Sequence, residues 1–270
     1  MKEFFTRTLT GAALAIFILG AIFWSPWAFF TLMSVVALIG LFEFNKLFQP
    51  SGHGSGSLIY YIVGLAVYAL TALSGMSVID ESNVLLIILS FFVLIAAELF
   101  RAQEHSWRHA AGSVMGIVYV AVPFGMMNAF FLMKSADVAF PWILLALFIL
   151  VWVNDIFAYL IGSTMGKHKL FEKLSPKKSW EGTVGGVIFT ILAAWIFSKF
   201  TTELNLIEWL VLGLIISITA DLGDLAESML KRSAGVKDSG KILPGHGGIL
   251  DRFDAVLFAT PFVFFYIFLI

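Results

Sequence analysis

Nine stretches of this chain are long and apolar enough to cross a bilayer as helices: near 9–24, 27–42, 58–73, 84–99, 111–133, 141–163, 183–199, 206–228 and 252–270. A helix rises about 1.5 Å per residue, so roughly 20 apolar residues cover a hydrocarbon core. Lipid offers no hydrogen bonds, so runs of this length and continuity must satisfy their backbone internally, as helices. The expected fold class is therefore an all-α polytopic integral membrane protein with about nine transmembrane helices. Composition points the same way: 60% of the residues are hydrophobic and 13% charged, where a soluble domain runs near 45–50% and about 25%. The first run follows Lys2 and Arg7 and could pass for a signal peptide. It leads into Trp24-Ser-Pro-Trp27 with no small-residue cleavage site, and is read as a retained helix. Two regions are expected, 1–133 with helices one to five and 134–270 with helices six to nine and the chemistry.

Nine spans can be tested against the bias of Lys and Arg toward the cytoplasm. With the N-terminus cytoplasmic, that side also holds segments 43–57, 100–110, 164–182 and 229–252, and 15 of the 17 Lys and Arg residues fall there, leaving Lys134 and Lys199 across the membrane. The charges are thus segregated by side, and the net charge of −1 means little by itself. Cysteine is absent, which excludes disulfides, thiolate metal sites and a Cys nucleophile. Any metal must take oxygen ligands, with His as the remaining option. No internal repeat is evident, which weakens an inverted-repeat transporter.

The chemistry-bearing residues cluster. Asp221 and Asp224 lie three apart near the end of the eighth run, with Ser228 one turn on, so all three share a helix face. Asp251 and Asp254 repeat that spacing where the ninth run begins. Between them come Lys231-Arg232, Lys237-Asp238, Gly240, Lys241 and Pro244-Gly-His-Gly-Gly248, then Arg252. Carboxylates can hold a divalent cation, Lys and Arg can hold phosphates, and glycines let backbone N–H groups approach an anion. Ionisable groups in or beside a bilayer are costly and mark function. Individual Asp residues could instead cap helices or pair with Arg252 and Lys231, and His246 could donate to a phosphate or brace its turn. A second cluster joins Asn154-Asp155, inside the sixth run, to Lys167, His168, Lys169, Lys173 and Ser175-Pro-Lys-Lys-Ser-Trp-Glu-Gly182. Asp155 needs a cation, a Lys or water. Lys177 and Lys178, flanked by Ser175 and Ser179, have the character of phosphate holders, whereas Lys167 and Lys169 read as topology signals. Glu43, Glu98 and Glu104 are expected at helix ends, solvated. Gly112-x-x-x-Gly116 and Gly182-x-x-x-Gly186 suit close helix packing.

Ser228, Lys231-Arg232, Lys237-Asp238, His246-Gly247-Gly248 and Asp251-Arg252-Phe253-Asp254 together resemble the signature of the phosphatidate cytidylyltransferase (CDP-diacylglycerol synthase) family, bacterial type, with no departure across the stretch. The stretch is about a tenth of the chain. Asn154-Asp155 and Ser175 to Gly182 also look like that family. The resemblance implies transfer of CMP from CTP to phosphatidic acid, giving CDP-diacylglycerol and pyrophosphate, with Mg²⁺ required, and a homodimer in the bacterial inner membrane. Catalysis should then be positioning plus neutralisation of two polyanions. On this expectation Asp224 and Asp251 hold Mg²⁺, with Asp221, Asp254 and Asp155 as further ligands or supports, and Lys237 belongs with the catalytic group. Ser175, Lys177, Lys178, Ser179, Glu181, Ser228, Lys231, Arg232, Asp238, His246, Gly247, Gly248 and Arg252 bind substrate. Two other readings compete. A CDP-alcohol phosphotransferase would show Asp-x-x-Asp-Gly-x-x-Ala-Arg, but Leu-Ala-Glu227 follows Asp224. A cation-coupled transporter would spread its acids across the midplane, whereas these gather at one face.

Overall fold

The computed structural model describes residues 2–48 (side chains from Leu9 on), 58–101, 106–132, 140–172, 174–243 and 247–270. Its helices are α1 (Lys2–Trp24), α2 (Pro26–Phe48), α3 (Leu58–Gly75), α4 (Leu85–Arg101), α5 (Ser106–Gly116), α6 (Val122–Met127), α7 (Trp142–Met165), α8 (Trp180–Phe200), α9 (Leu206–Ser233) and α10 (Leu250–Leu269). Among the described residues eight helical segments are long and apolar enough to cross a membrane, and Leu9–Trp24 is a shorter apolar helix beside them. The protein is an all-α polytopic membrane protein, as its apolar runs require.

The differences from the sequence reading are local and physical. The fifth run is one rod, 106–131, but not one uniform helix: a π turn, Ile117–Ala121, separates α5 from α6, and a 3₁₀ turn, Asn128–Phe131, closes it. Pro123 has no N–H and its ring would crowd the carbonyl four residues back, so a locally widened helix precedes it. α2 runs on to Phe48, which carries Glu43 within a helix instead of a solvated loop. α9 runs on to Ser233, so Ser228, Lys231 and Arg232 are helical. A small antiparallel hairpin, β1 (Lys169–Phe171) and β2 (Ser175–Ser179), stands between α7 and α8, with Lys169 opposite Ser179 and Phe171 opposite Ser175.

The chain divides into two compact units, Met1–Leu132 with Ser233–Arg252, and Met133–Arg232 with Phe253–Ile270. The first is packed through small residues. A side chain at Gly112 would strike Phe48, and one at Gly116 would strike Phe44 and the Tyr60 hydroxyl, so α5 lies directly on α2 and α3. Tyr68 donates to the Phe30 carbonyl at 2.7 Å, and Asn128 donates to the Phe124 carbonyl at 3.1 Å, which satisfies polar groups that lipid could not. In the second unit α7 and α8 meet at glycine: an added Cβ at Gly182 would meet the Ala158 carbonyl and Gly162, and one at Gly186 would meet Asn154. Phe157 and Phe189 stack with centroids 3.8 Å apart across the same contact. Close backbone approach of this kind is how helices associate in lipid, where no hydrophobic force joins them.

Candidate active site

The glycine contact between α7 and α8 brings the hairpin against α9. Ser179 ends β2 and caps α8, accepting from Gly182 N at 3.2 Å. Lys178, one residue earlier, is thereby aimed at α9, where its Nζ lies 3.0 Å from Asp221 Oδ1 and 2.7 Å from Asp224 Oδ2. Burial by itself would lower the Lys178 pKa, but Asp224 and then Asp221 outweigh it and hold the ammonium above its ordinary range. Glu181, in the first turn of α8, accepts from the amides of Lys167 and His168 at 3.1 and 3.2 Å, and its Oε1 lies 2.6 Å from His168 Nδ1. It fastens the turn that enters the hairpin.

These elements enclose a cavity of about 250 Å³ lined by Asp155, Tyr159 and Ser163 of α7, Lys177 and Lys178 of β2, Thr183 of α8, and Asp221 and Asp224 of α9, among others. Asp155 is exposed, but to this cavity. Asp221 is 6% exposed, and its Oδ2 is buried with no hydrogen-bond partner among the described residues. An orphaned carboxylate oxygen is expensive and marks a place for a ligand or water. One turn along α9 from Asp224, Glu227 is 1% exposed and paired with Lys231. Asp254 of α10 meets Glu227 and lies near Asp224, so four acids, Asp221, Asp224, Glu227 and Asp254, succeed one another in this unit. The sequence reading missed Glu227, although its spacing, three from Asp224 and four before Lys231, was visible.

Ser175, Ser228, Lys231 and Arg232 also lie in the second unit, and the first unit holds Lys237, Asp238, Gly247, Gly248, Asp251 and Arg252 of the expected set. Asp251 Oδ2 accepts from Ser239 N at 2.9 Å, Ser239 Oγ at 2.9 Å and Gly248 N at 2.8 Å. Gly247 has φ +84°, a left-handed conformation that suits glycine, and a Cβ there would also meet Asp251 Oδ2, at 2.5 Å. Lys237, Asp238 and Arg252 are exposed. Pro244, Gly245 and His246 lie outside the described residues, as do Lys173 and Glu104. The expectation of solvated acids fails for Glu43 and Glu98, which are 1% and 5% exposed. Glu98 pairs with Arg101 at 3.0 Å. Glu43 accepts from Ile249 N and Leu250 N, and Ser239 Oγ lies 3.1 Å from its Oε2. Glu43 and Ser239 are 196 positions apart, and no spacing rule could have joined them.

Among the described residues no three His, Cys, Asp or Glu side chains gather closely enough to hold a metal by themselves. Magnesium does not need that: it takes one or two carboxylates, waters and substrate phosphates. The all-oxygen donor set along the cavity and the orphaned Asp221 Oδ2 fit such an ion.

Fold and cavity define a class: a membrane-embedded protein whose helices and hairpin hold carboxylates and lysines together around one cavity. Residues 5–270 match the model of the cytidylyltransferase family. The chain is 38% identical over 237 residues to a phosphatidate cytidylyltransferase of Staphylococcus aureus, covering 86% of each chain. It is 38% identical over 232 residues to the protein of that name from Staphylococcus saprophyticus, covering 85% of each. A third, from Staphylococcus epidermidis, is 42% identical over 178 residues, 65% of each chain. This protein belongs to the cytidylyltransferase family, and it is an enzyme of nucleotidyl transfer.

Proposed function

We propose that the protein transfers CMP from CTP to phosphatidic acid, releasing pyrophosphate and leaving CDP-diacylglycerol in the bilayer. The observation that carries the chemistry is the cavity in which Asp155, Asp221 and Asp224 face Lys177 and Lys178, in a chain whose curated relatives are named phosphatidate cytidylyltransferases. The lipid phosphate is already an anion, so the attack on the CTP α-phosphorus needs little help from a base. The barrier is the approach of two polyanions, and the protein lowers it by positioning and by neutralising charge. Lys178 stays cationic because the two Asp residues hold its proton. Lys177 stands exposed at the cavity wall to receive a phosphate. Lys231, Arg232, Lys237 and Arg252 extend the positive surface. Ser175, Ser179, Ser228, Asp238, His246, Gly247 and Gly248 complete the substrate-binding set.

Mg²⁺ would be held by Asp224, with Asp221, Asp155 and Asp254 beside it, and would supply charge neutralisation at the phosphates. Asp251 enters that ligand set on the sequence alone. The reading includes a homodimer in the bacterial inner membrane, with the N-terminus and the active site on the cytoplasmic side, as the distribution of Lys and Arg supports.

The test is pyrophosphate release by the detergent-purified protein, with CTP, phosphatidic acid and Mg²⁺ omitted in turn. Release that needs all three supports the reading. Release without the lipid, or none from a folded protein, rejects it.

A further inference from the structure

Glu43 is the one acid on α2, a membrane-spanning helix, and it is 1% exposed. A carboxylate in such a place survives only if its lone pairs find donors. Among the described residues its partners come from the far end of the chain: Ile249 N donates to Oε1 at 3.0 Å and Leu250 N to Oε2 at 2.9 Å, and Ser239 Oγ lies 3.1 Å from Oε2. The two amides belong to the start of α10, where the helix dipole also favours a negative charge. Ser239 is 3% exposed and joins Glu43 to Asp251, since its hydroxyl lies within reach of both carboxylates and its amide donates to Asp251. Leu243 N donates to Gly247 O at 3.0 Å between these anchor points. The glycines take part: a Cβ at Gly240 or at Gly248 would run into the Glu43 carboxylate. Two glycines of this polar segment, Gly240 and Gly248, are therefore small because Glu43 lies against them, a reason that phosphate approach does not supply.

We propose that Glu43 is a positioning residue for the nucleotide. With Ser239 and Asp251 it latches both ends of the loop 239–250, so that the neighbouring Lys237, Asp238 and Arg252 are presented in one arrangement before CTP arrives. This rests on the reading that the loop binds CTP. A loop that must be ordered by its ligand weakens apparent affinity by the fraction of time it is competent. Glu43 is buried with its oxygens turned to the amides that start α10, so loosening the latch is expected to act on CTP binding and to leave the chemical step alone.

The experiment uses the full chain in detergent, as wild type, Glu43→Gln, Ser239→Ala and the double variant. Two readouts are taken: kcat and KM for CTP, and amide hydrogen exchange of peptides covering 239–250. Glu43→Gln raises the KM for CTP about tenfold or more, the scale of a lost buried bond to a charged group, and keeps kcat at saturating CTP within about threefold of wild type, since only the competent fraction changes. Ser239→Ala gives a smaller rise and adds nothing in the Glu43→Gln background, because the two residues act as one unit. Exchange quickens in this loop and not elsewhere. A lower kcat at unchanged KM, the sign of a smaller folded fraction, overturns the proposal, as do independent effects of the two substitutions. If Glu43→Gln does not fold, Ser239→Ala decides alone: unchanged KM and unchanged exchange overturn the latch. If the wild type turns over no CTP, the nucleotide reading fails by itself. The exchange arm then still judges the latch, supported by quicker exchange confined to the loop and overturned by none.

Discussion

Asp221 and Asp251 are both carboxylates at the polar end of an apolar helix, and they are partnered in different ways. Asp221, in the second unit, gives one oxygen to the Lys178 ammonium and keeps the other buried without a hydrogen-bond partner among the described residues. Asp251, in the first, accepts from two backbone amides on a single oxygen, with the Ser239 hydroxyl, which lies between it and Glu43, also within reach. The cavity around Asp221 holds its charges against a side-chain cation that can move or be exchanged. The loop around Asp251 and Glu43 ties its charges to main-chain groups that cannot. A carboxylate in a membrane protein is costly in either place. The two acids meet that cost differently, one with a side-chain ammonium and the other chiefly with main-chain amides.

Several substitutions would break or sharpen this contrast. The largest effect is expected from Asp224→Asn. It removes charge at the cavity without touching the loop, and should lower pyrophosphate release by about 1,000-fold or more, on the scale of a lost catalytic electrostatic group. The variant should still insert and elute as the wild type does on gel filtration. Full activity would remove Asp224 from any metal role. Lys178→Ala comes next, with kcat/KM reduced about 100-fold. Wild-type activity in that variant would make Lys178 a fastener between β2 and α9 and bring the cavity closer to the loop in kind.

Glu203 supplies a third kind of carboxylate, one whose two oxygens are buried beside the Trp142 and Ile143 amides without good hydrogen-bond geometry to either. Burial lifts its pKa from 4.5 to about 7, while the Trp142 and Ile143 amides pull it down incompletely. Since the folded pKa lies above the unfolded one, folding favours the protonated acid. The stabilisation is fully present below about pH 4.5, fades as pH rises toward about 7, and is gone above it. Glu203→Gln should therefore be more stable than wild type at pH 8, by about 1–2 kcal/mol after allowing for its half exposure, and equal to it at pH 4. Thermal unfolding in detergent at the two pH values measures this. A pH-independent difference would mean that Glu203 does not titrate as its burial demands. The smallest effect is Ser179→Ala, which removes the cap of α8 and should cost about 1 kcal/mol of stability, seen in the same unfolding assay. No change would mean that the glycine contact with α7 holds the hairpin without the cap.

Much of this was legible in the chain. The apolar runs required spanning helices, and the motif residues from Ser228 to Asp254 named the family that the full-length match then showed. Local spacing also foretold Asp221 and Asp224 on one face, and the close helix contacts at Gly112, Gly116, Gly182 and Gly186. Helix ends were less legible, because α2 and α9 continue into charged sequence that tertiary contacts shelter. The π turn before Pro123 and the short hairpin carry no strong pattern at all.

The sequence by itself determined the solvent in which this chain folds, the all-helical kind of its spans, and the chemistry gathered in its polar segments. Hydropathy and residue type are local properties, written wherever the residues stand. The tertiary structure decided which charge meets which. Lys178 was a phosphate holder on paper and lies between two aspartates in the fold. Glu43 was a solvated helix end and is a buried acceptor for residues some two hundred positions away. Those pairings depend on helix packing that brings distant segments within hydrogen-bond reach, and the cost of an unpaired charge in a low-dielectric interior enforces them.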